Sequence, residues 1–218
     1  MAVSSNFGAG GVSMNQFVEK YGYFPEKAPK SRFRGSIDVP LNEEGWVAAI
    51  KAGFALKDAA FNLIVHDHQQ RTINTAKCIQ LFHSESKMEY HEAAHSQRLG
   101  WLEGKDVTED TLHFMRHYIR NRYKIPEDGY LQEKAPQSFA GWLNDWFWTY
   151  DNLKRYAEQE RLKTLIVTHN RNIQAVLCRN RDWIDEEEFD NPGPRPCEIV
   201  HASEYLVLIR HGDTDWGT

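Results

Sequence analysis

The sequence predicts an α/β fold with a mostly parallel sheet, and three observations carry that expectation. Short apolar runs at Phe61-Asn62-Leu63-Ile64-Val65 and Leu165-Ile166-Val167 have the length and composition of strands buried on both faces. Helix-patterned segments lie between them, the alternation expected of parallel α/β architecture. Glu198 to His201 and Tyr205 to Ile209, around Ala202-Ser203, read as a hairpin that adds an antiparallel edge.

Each element has a local reason. Residues 1–13 are mostly Ser, Gly, Asn and Ala with little bulk, and are expected to be disordered. Residues 14–31 carry Phe17, Val18, Tyr21, Tyr23 and Phe24 before Pro25 and Pro29, the pattern of a short helix and then an extended arm. Asn42-Glu43-Glu44 opens a helix: the amide caps, and the carboxylates suit the positive helix start. Trp46, Ile50 and Phe54 form its expected buried stripe. Thr72 to Phe82 is expected to be helical, with Ile73, Ala76 and Ile79 on one face. Residues 84–135 read as irregular apart from a helix around 108–123. Residues 138–160 read as a long helix rich in Trp and Phe, whose helical spacing points to core packing, and Asn172 to Leu177 starts another. Asn191 to Pro196 is a turn cluster.

Composition narrows the function classes. A chain of 218 residues, 41% hydrophobic and 26% charged, is expected to form one globular domain without help from disulfides or metals. No apolar run approaches the roughly 18 residues of a membrane span, and the polar start lacks a secretory apolar region. A net charge of −5 argues against a nucleic-acid surface while leaving room for a local basic pocket. Three widely spaced cysteines, Cys78, Cys178 and Cys197, fit reduced thiols of a cytoplasmic protein better than a disulfide framework.

The chemistry is expected at strand ends. Leu206-Val207-Leu208-Ile209 runs straight into Arg210-His211-Gly212. Leu165-Ile166-Val167 runs through Thr168 into His169, and the 61–65 strand leads to Arg71 near a helix start. Open α/β sheets bind ligands at the carboxyl ends of their strands. Two histidines and two arginines there suit phosphoryl transfer: a neutral imidazole attacks phosphorus and guanidiniums clamp its oxygens.

These residues resemble the histidine phosphatase superfamily, also called phosphoglycerate-mutase-like. Arg210-His211-Gly212-Asp213-Thr214-Asp215-Trp216 is similar to the R-H-G-x-T motif and following tryptophan with which members normally begin. The R-F-x-G-x-x-D-x-P-L-T-E-E-G segment that normally follows is matched by residues 32–45, from Arg32-Phe33-Arg34-Gly35 to Glu43-Glu44-Gly45. Asp67 to Ala76 resembles S-D-L-x-R-A-x-Q-T-A, Gly100 to Gly104 resembles G-x-W-E-G, and Val167 to Asn170 resembles V-S-H-G. The cyclic order is kept while the first motif lies last, as in a circular permutant.

The resemblance implies a three-layer α/β/α sandwich over residues 32–218, with 1–31 as an N-terminal extension. It implies His211 as the nucleophile that becomes phosphohistidine, with Arg210, Arg71 and His169 completing the phosphate pocket. Thr214 would add a hydroxyl, and Arg34 and Gly35 would line the substrate entrance. No metal or cofactor is implied. The expected substrate is a small phosphomonoester, a phosphoramidate or a phosphohistidine protein.

One departure concerns the general acid. The glutamate that usually precedes the G-x-W-E-G glycine by four residues is Ser96 here, so Glu92, His95 and, at a different family position, Glu103 become the candidates. Without an acid, substrates with good leaving groups are favoured. Three other readings stay open: a phospho-ligand binding protein, a mutase-type phosphotransferase, and a metal hydrolase built on His66-x-His68.

Overall fold

A computed structural model describes residues 32–108, 111, 137–180, 183–184 and 193–215. Strands β1 (Leu63–His66), β2 (Lys87–Tyr90), β3 (Thr164–Thr168), β6 (Ile199–His201) and β7 (Leu206–Arg210) form one sheet in the order β2-β1-β3-β7-β6. The first four in that order run parallel, and β6 pairs antiparallel with β7. Two-residue strands β4 (Arg179–Asn180) and β5 (Trp183–Ile184) make a separate antiparallel ladder.

Helices cover both faces of the sheet. Leu63, Val65, Ile166, Leu206 and Leu208 pack with Phe139, Trp142, Trp146 and Leu153 of α3 (Phe139–Glu160) and Ile173 of α4 (Asn170–Leu177). The alternate positions Ile64, Leu165, Val167, Val207 and Ile209 pack with Ala52 of α1 (Glu43–Ala55) and Ala76 and Ile79 of α2 (Gln70–Gln80). Successive strand side chains point to opposite faces, so a strand covered on both sides must be apolar throughout. That is why these runs show no alternation.

The helix starts follow their sequence signals. Asn42 caps α1 by accepting from the Gly45 N–H at 2.7 Å, and Ser138 caps α3 through Gly141 at 3.0 Å. The start of α2 is capped from outside the helix: Asp67 accepts from the Gln69 N–H at 2.9 Å and Asp38 from the Gln70 N–H at 2.7 Å. The expected 198–201 and 205–209 hairpin forms, with β6 beginning one residue later and β7 displaced one residue toward the C-terminus.

Several expectations are corrected. Phe54 is 53% exposed, because it lies about 80° around the helix from Trp46. The buried face of α1 is Trp46, Ala49, Ile50 and Gly53, and Phe54 packs edge-on against Phe82. The first strand begins at Leu63 and ends at His66, so His68 lies beyond it and the pair does not share a strand face. β2 replaces part of the region read as irregular; as a polar edge strand, Lys-Met-Glu-Tyr carries no burial signal. Trp148 is 70% exposed on α3, while Trp142 and Trp146 are core. The readings for 1–31, for the helix around 108–123, for Asn191 and for Trp216 lie outside the described residues. Among the described residues no helix is long and apolar enough to cross a membrane.

Candidate active site

The parallel register brings three strand ends to one edge of the sheet. Thr168 is opposite Arg210 and Val65 opposite Ile166, so the residues that follow β1, β3 and β7 emerge side by side. The His211 N–H donates to the Thr168 carbonyl at 3.0 Å, tying the β7 exit to the β3 exit. The His169 and His211 rings meet edge to face, with centroids 5.0 Å apart.

His211 has a defined tautomer. Its Nδ1 lies 2.5 Å from the Gly212 carbonyl oxygen. A carbonyl only accepts, so Nδ1 carries the proton and Nε2 keeps its lone pair. Burial, then the neighbouring His169 ring and the positive charges of Arg71, Arg34 and Arg210, push the protonation of His211 well below the usual imidazole range. The ring is therefore neutral at pH 7 and able to act as a nucleophile.

The loop that carries His211 is clamped onto the start of α1. Asn42 N–H donates to the Asp213 carbonyl at 3.1 Å, and Thr214 forms a backbone bridge with Leu41. A Cβ on Gly45 would overlap the Asp213 backbone, and one on Gly212 would overlap the Gly45 backbone. Two glycines are thus required by close approach. Gly212 N–H also donates to Thr75 Oγ1 at 3.0 Å.

Three guanidiniums converge on the histidines. Arg71, nearly inaccessible, donates to the carbonyls of Ile37 (2.8 Å) and Gly35 (3.1 Å) and to Gln69 Oε1 (2.6 Å). Arg210 donates to the Pro194 carbonyl at 2.8 Å. Both leave a buried Nε with no partner among the described residues, an arrangement that a bound anion would complete. Partly buried Arg34 donates to Thr214 Oγ1 at 2.6 Å. Burial and repulsion from Arg71 and Arg210 lower Arg34 to about 9, and burial lowers Arg71 to about 10 against the pull of Asp67, Asp38 and Glu103. Clustered cations of this kind disfavour one another and attract an anion. Arg34 stands among the pocket arginines rather than only at an entrance.

Gly35 serves through its backbone. It adopts a φ of +50°, and its carbonyl accepts from Gln69, Arg71 and Ser96. Glu103 accepts from the backbone and hydroxyl of Ser36 and from the Leu99 N–H, which makes it the clamp of that loop.

The usual acid position is occupied by Ser96, whose Oγ donates to Gly35 O at 2.5 Å and lies 3.5 Å from Arg71 Nη2. His95 and Glu92 line a cleft of about 380 Å³ together with Arg98, Asp145 and Trp148. His95 donates from Nδ1 to the Ser96 carbonyl, and its ring lies 6.5 Å from that of His68. His66 donates from Nδ1 to the Asp67 carbonyl at 2.7 Å. Among the described residues no three His, Cys, Asp or Glu side chains gather as a metal would require.

The structure adds residues that sequence reasoning had not placed in the site. Asp67, fully buried, accepts from His169 Nε2 at 2.7 Å. Gln69 bridges Arg71 and Gly35, and Thr75 supports Gly212. A carboxylate inside an apolar strand exit was the one available signal, visible for Asp67 alone.

Comparison with known proteins places this geometry in context. Residues 25–203 match the family model described as histidine phosphatase superfamily (branch 1). A 2,3-bisphosphoglycerate-dependent phosphoglycerate mutase from Chlamydia felis is 28% identical over 113 residues, which is 51% of this chain and 48% of the relative. The chain thus spans about half the length of that curated relative. The alpha-ribazole phosphatase from Shigella flexneri superposes with a TM-score of 0.57 at 14% identity, covering 86% of this chain and 91% of the other. A phosphoglycerate mutase from Bacillus anthracis gives a TM-score of 0.55 at 18% identity, covering 83% and 84%. At such identities the likeness shows the shared fold.

Proposed function

The chain belongs to the histidine phosphatase superfamily, and from that premise we propose that it is a phosphatase acting through a phosphohistidine on His211. One observation carries the reading: His211 keeps Nδ1–H on the Gly212 carbonyl, so its Nε2 lone pair is presented within a cluster of Arg34, Arg71, Arg210 and His169. In the first step Nε2 attacks phosphorus, the N–P bond forms and the bond to the leaving group breaks. Arg71, Arg210 and His169 hold the oxygens as charge shifts onto them. Water then attacks the phosphohistidine, releasing inorganic phosphate and restoring the Nε2 lone pair. Thr214 and Arg34 act as a pair at the phosphate, and Gly35 holds Arg71 in place.

A leaving group that departs without a proton suits this pocket best. Ser96 does not ionise as an acid, and a proton from His95 or Glu92 has to come from the neighbouring cleft. Aryl phosphates meet that condition, and so do phosphoramidates and phosphohistidine side chains whose nitrogen arrives already protonated, so that a neutral amine or imidazole departs. A small phosphorylated compound or a phosphohistidine protein is therefore the proposed partner, and three widely spaced cysteines in the sequence suit a reducing, cytoplasmic setting. The similarity to a phosphoglycerate mutase favours a second reading, return of the phosphoryl group to a hydroxyl.

We read the motif order as a circular permutation. The family model ends at residue 203, before β7 and Arg210-His211-Gly212, yet β7 pairs between β3 and β6. The deciding experiment is hydrolysis of p-nitrophenyl phosphate in EDTA by the wild type and by His211→Ala. Metal-independent turnover lost in the variant is expected. Equal turnover in both would reject the nucleophile.

A further inference from the structure

Asp67 occupies the position of the serine in the S-D-L-x-R pattern, and it is buried completely. Three donors hold its carboxylate: the Thr72 hydroxyl, the Gln69 N–H at 2.9 Å, and His169 Nε2 at 2.7 Å. Thr72 and Gln69 belong to the start of α2, which also carries Arg71, so the carboxylate is fixed to the element that delivers the pocket arginine.

A carboxylate only accepts, whereas a serine hydroxyl either donates or accepts. Asp67 therefore dictates that His169 carries its proton on Nε2, leaving Nδ1 as the ring's other polar atom. His169 is nearly inaccessible and faces Asp67 from the β1 exit, Arg71 from α2, Arg34 from the 32–42 loop and His211 from the β7 exit. Among these groups Asp67 alone is negative.

We propose that Asp67 is a positioning residue for the phosphoryl site: it fixes the His169 tautomer and lets the ring take a second proton on Nδ1 when a phosphoryl dianion enters. This rests on the phosphoryl reading of the pocket. With the pocket empty, burial holds His169 neutral at pH 7, lowered to about 4 against the pull of Asp67. Asp67 is down at about 2: burial alone would raise it, but the His169, Thr72 and Gln69 contacts outweigh that. An incoming dianion adds negative charge on the other side of the ring. The ring then binds a solvent proton and donates Nδ1–H to a phosphoryl oxygen while Nε2–H stays on Asp67. No covalent bond changes in this step, and one proton is taken up per anion bound.

The test uses the full-length chain labelled with ¹⁵N-histidine, with inorganic phosphate as the probe. In the wild type His169 should show the Nε2–H tautomer without phosphate and a doubly protonated ring with phosphate at pH 7. Asp67→Asn, near-isosteric and checked for folding by circular dichroism, should lose the second proton and weaken phosphate binding roughly 10- to 100-fold, as carboxylate–histidine pairs around metals do. Asp67→Glu should recover part of the pH dependence. A wild-type ring that is Nδ1–H, or stays neutral when phosphate binds, overturns the proposal without any variant. So does unchanged phosphate affinity in Asp67→Asn. Wild-type protein that neither binds phosphate nor hydrolyses p-nitrophenyl phosphate removes the pocket reading itself, and this role with it.

Discussion

Arg34 donates to Thr214 Oγ1 at 2.6 Å across 180 residues of chain. The bond joins the loop before α1 to the loop after β7, and with them the two motif segments that stand farthest apart in sequence. The same two loops meet at the Leu41–Thr214 bridge and at the Asn42–Asp213 hydrogen bond. The pocket is thus closed by tertiary contacts alone.

If the order of segments is a permutation, covalent continuity across the β6–β7 hairpin is dispensable. A chain reordered to begin at residue 204, run to 218, and continue through a short linker from 32 to 203 should fold and bind phosphate. The β3–β7 and β6–β7 ladders supply the same pairing in either order. Size-exclusion profile and phosphate titration check it. Loss of both in a folded host would count against the permuted reading.

His211→Ala should keep the fold and abolish turnover, because the other imidazole of the described pocket does not present a free Nε2. His169 has its Nε2 on Asp67. Alkali-quenched wild type should give an acid-labile, base-stable phosphoprotein with aryl phosphate, and the variant none. Arg71→Gln should retain the nucleophile but lose roughly 10²–10³ in kcat, the usual cost of an oxyanion donor.

Ser96 predicts a leaving-group preference. The wild type should favour aryl over alkyl phosphates, and Ser96→Glu should raise alkyl turnover by up to the roughly 10²–10⁴ that a general acid supplies. Relative kcat/KM for p-nitrophenyl and glycerol phosphates measures it. Equal rates on both substrates in the wild type would show that another group already supplies the proton.

The histidines set the pH behaviour. His211 and His169 are both lowered from the ordinary imidazole value. They are neutral when folded and bind protons when unfolded, so the unfolded state holds more protons below pH 6.5. Stability should therefore fall as pH drops below about 6.5, continuing to about 4 for His169. Phosphate should oppose the loss by binding the folded form. Thermal melts from pH 7.5 to 4.5, with and without phosphate, check the sign.

Gly45 predicts a packing effect at a distance from the reacting atoms. A Cβ there would meet the Asp213 backbone. Gly45→Ala should cost about 1–3 kcal/mol, as overpacking does, and weaken phosphate binding because the shifted loop carries His211. Denaturant melts and phosphate titration test both.

The α/β class, the helix caps at Asn42 and the strand exits bearing Arg210-His211 and His169 were determined by the sequence itself. Their causes are local: apolar runs demand burial, an amide completes a helix start, and a strand exit fixes where its next residue emerges. Motif resemblance likewise singles out Arg71 and Arg34. Tertiary structure alone decided the rest. Phe54 and Trp148 faced solvent because neighbouring elements, not helical period, choose the buried face. β2 formed as an edge strand because β1 offered it hydrogen bonds. Asp67 met His169 across 102 residues, and Ser96 rather than His95 or Glu92 reached Gly35. Such pairings depend on how separate elements pack, a relation in space that spacing along the chain does not encode.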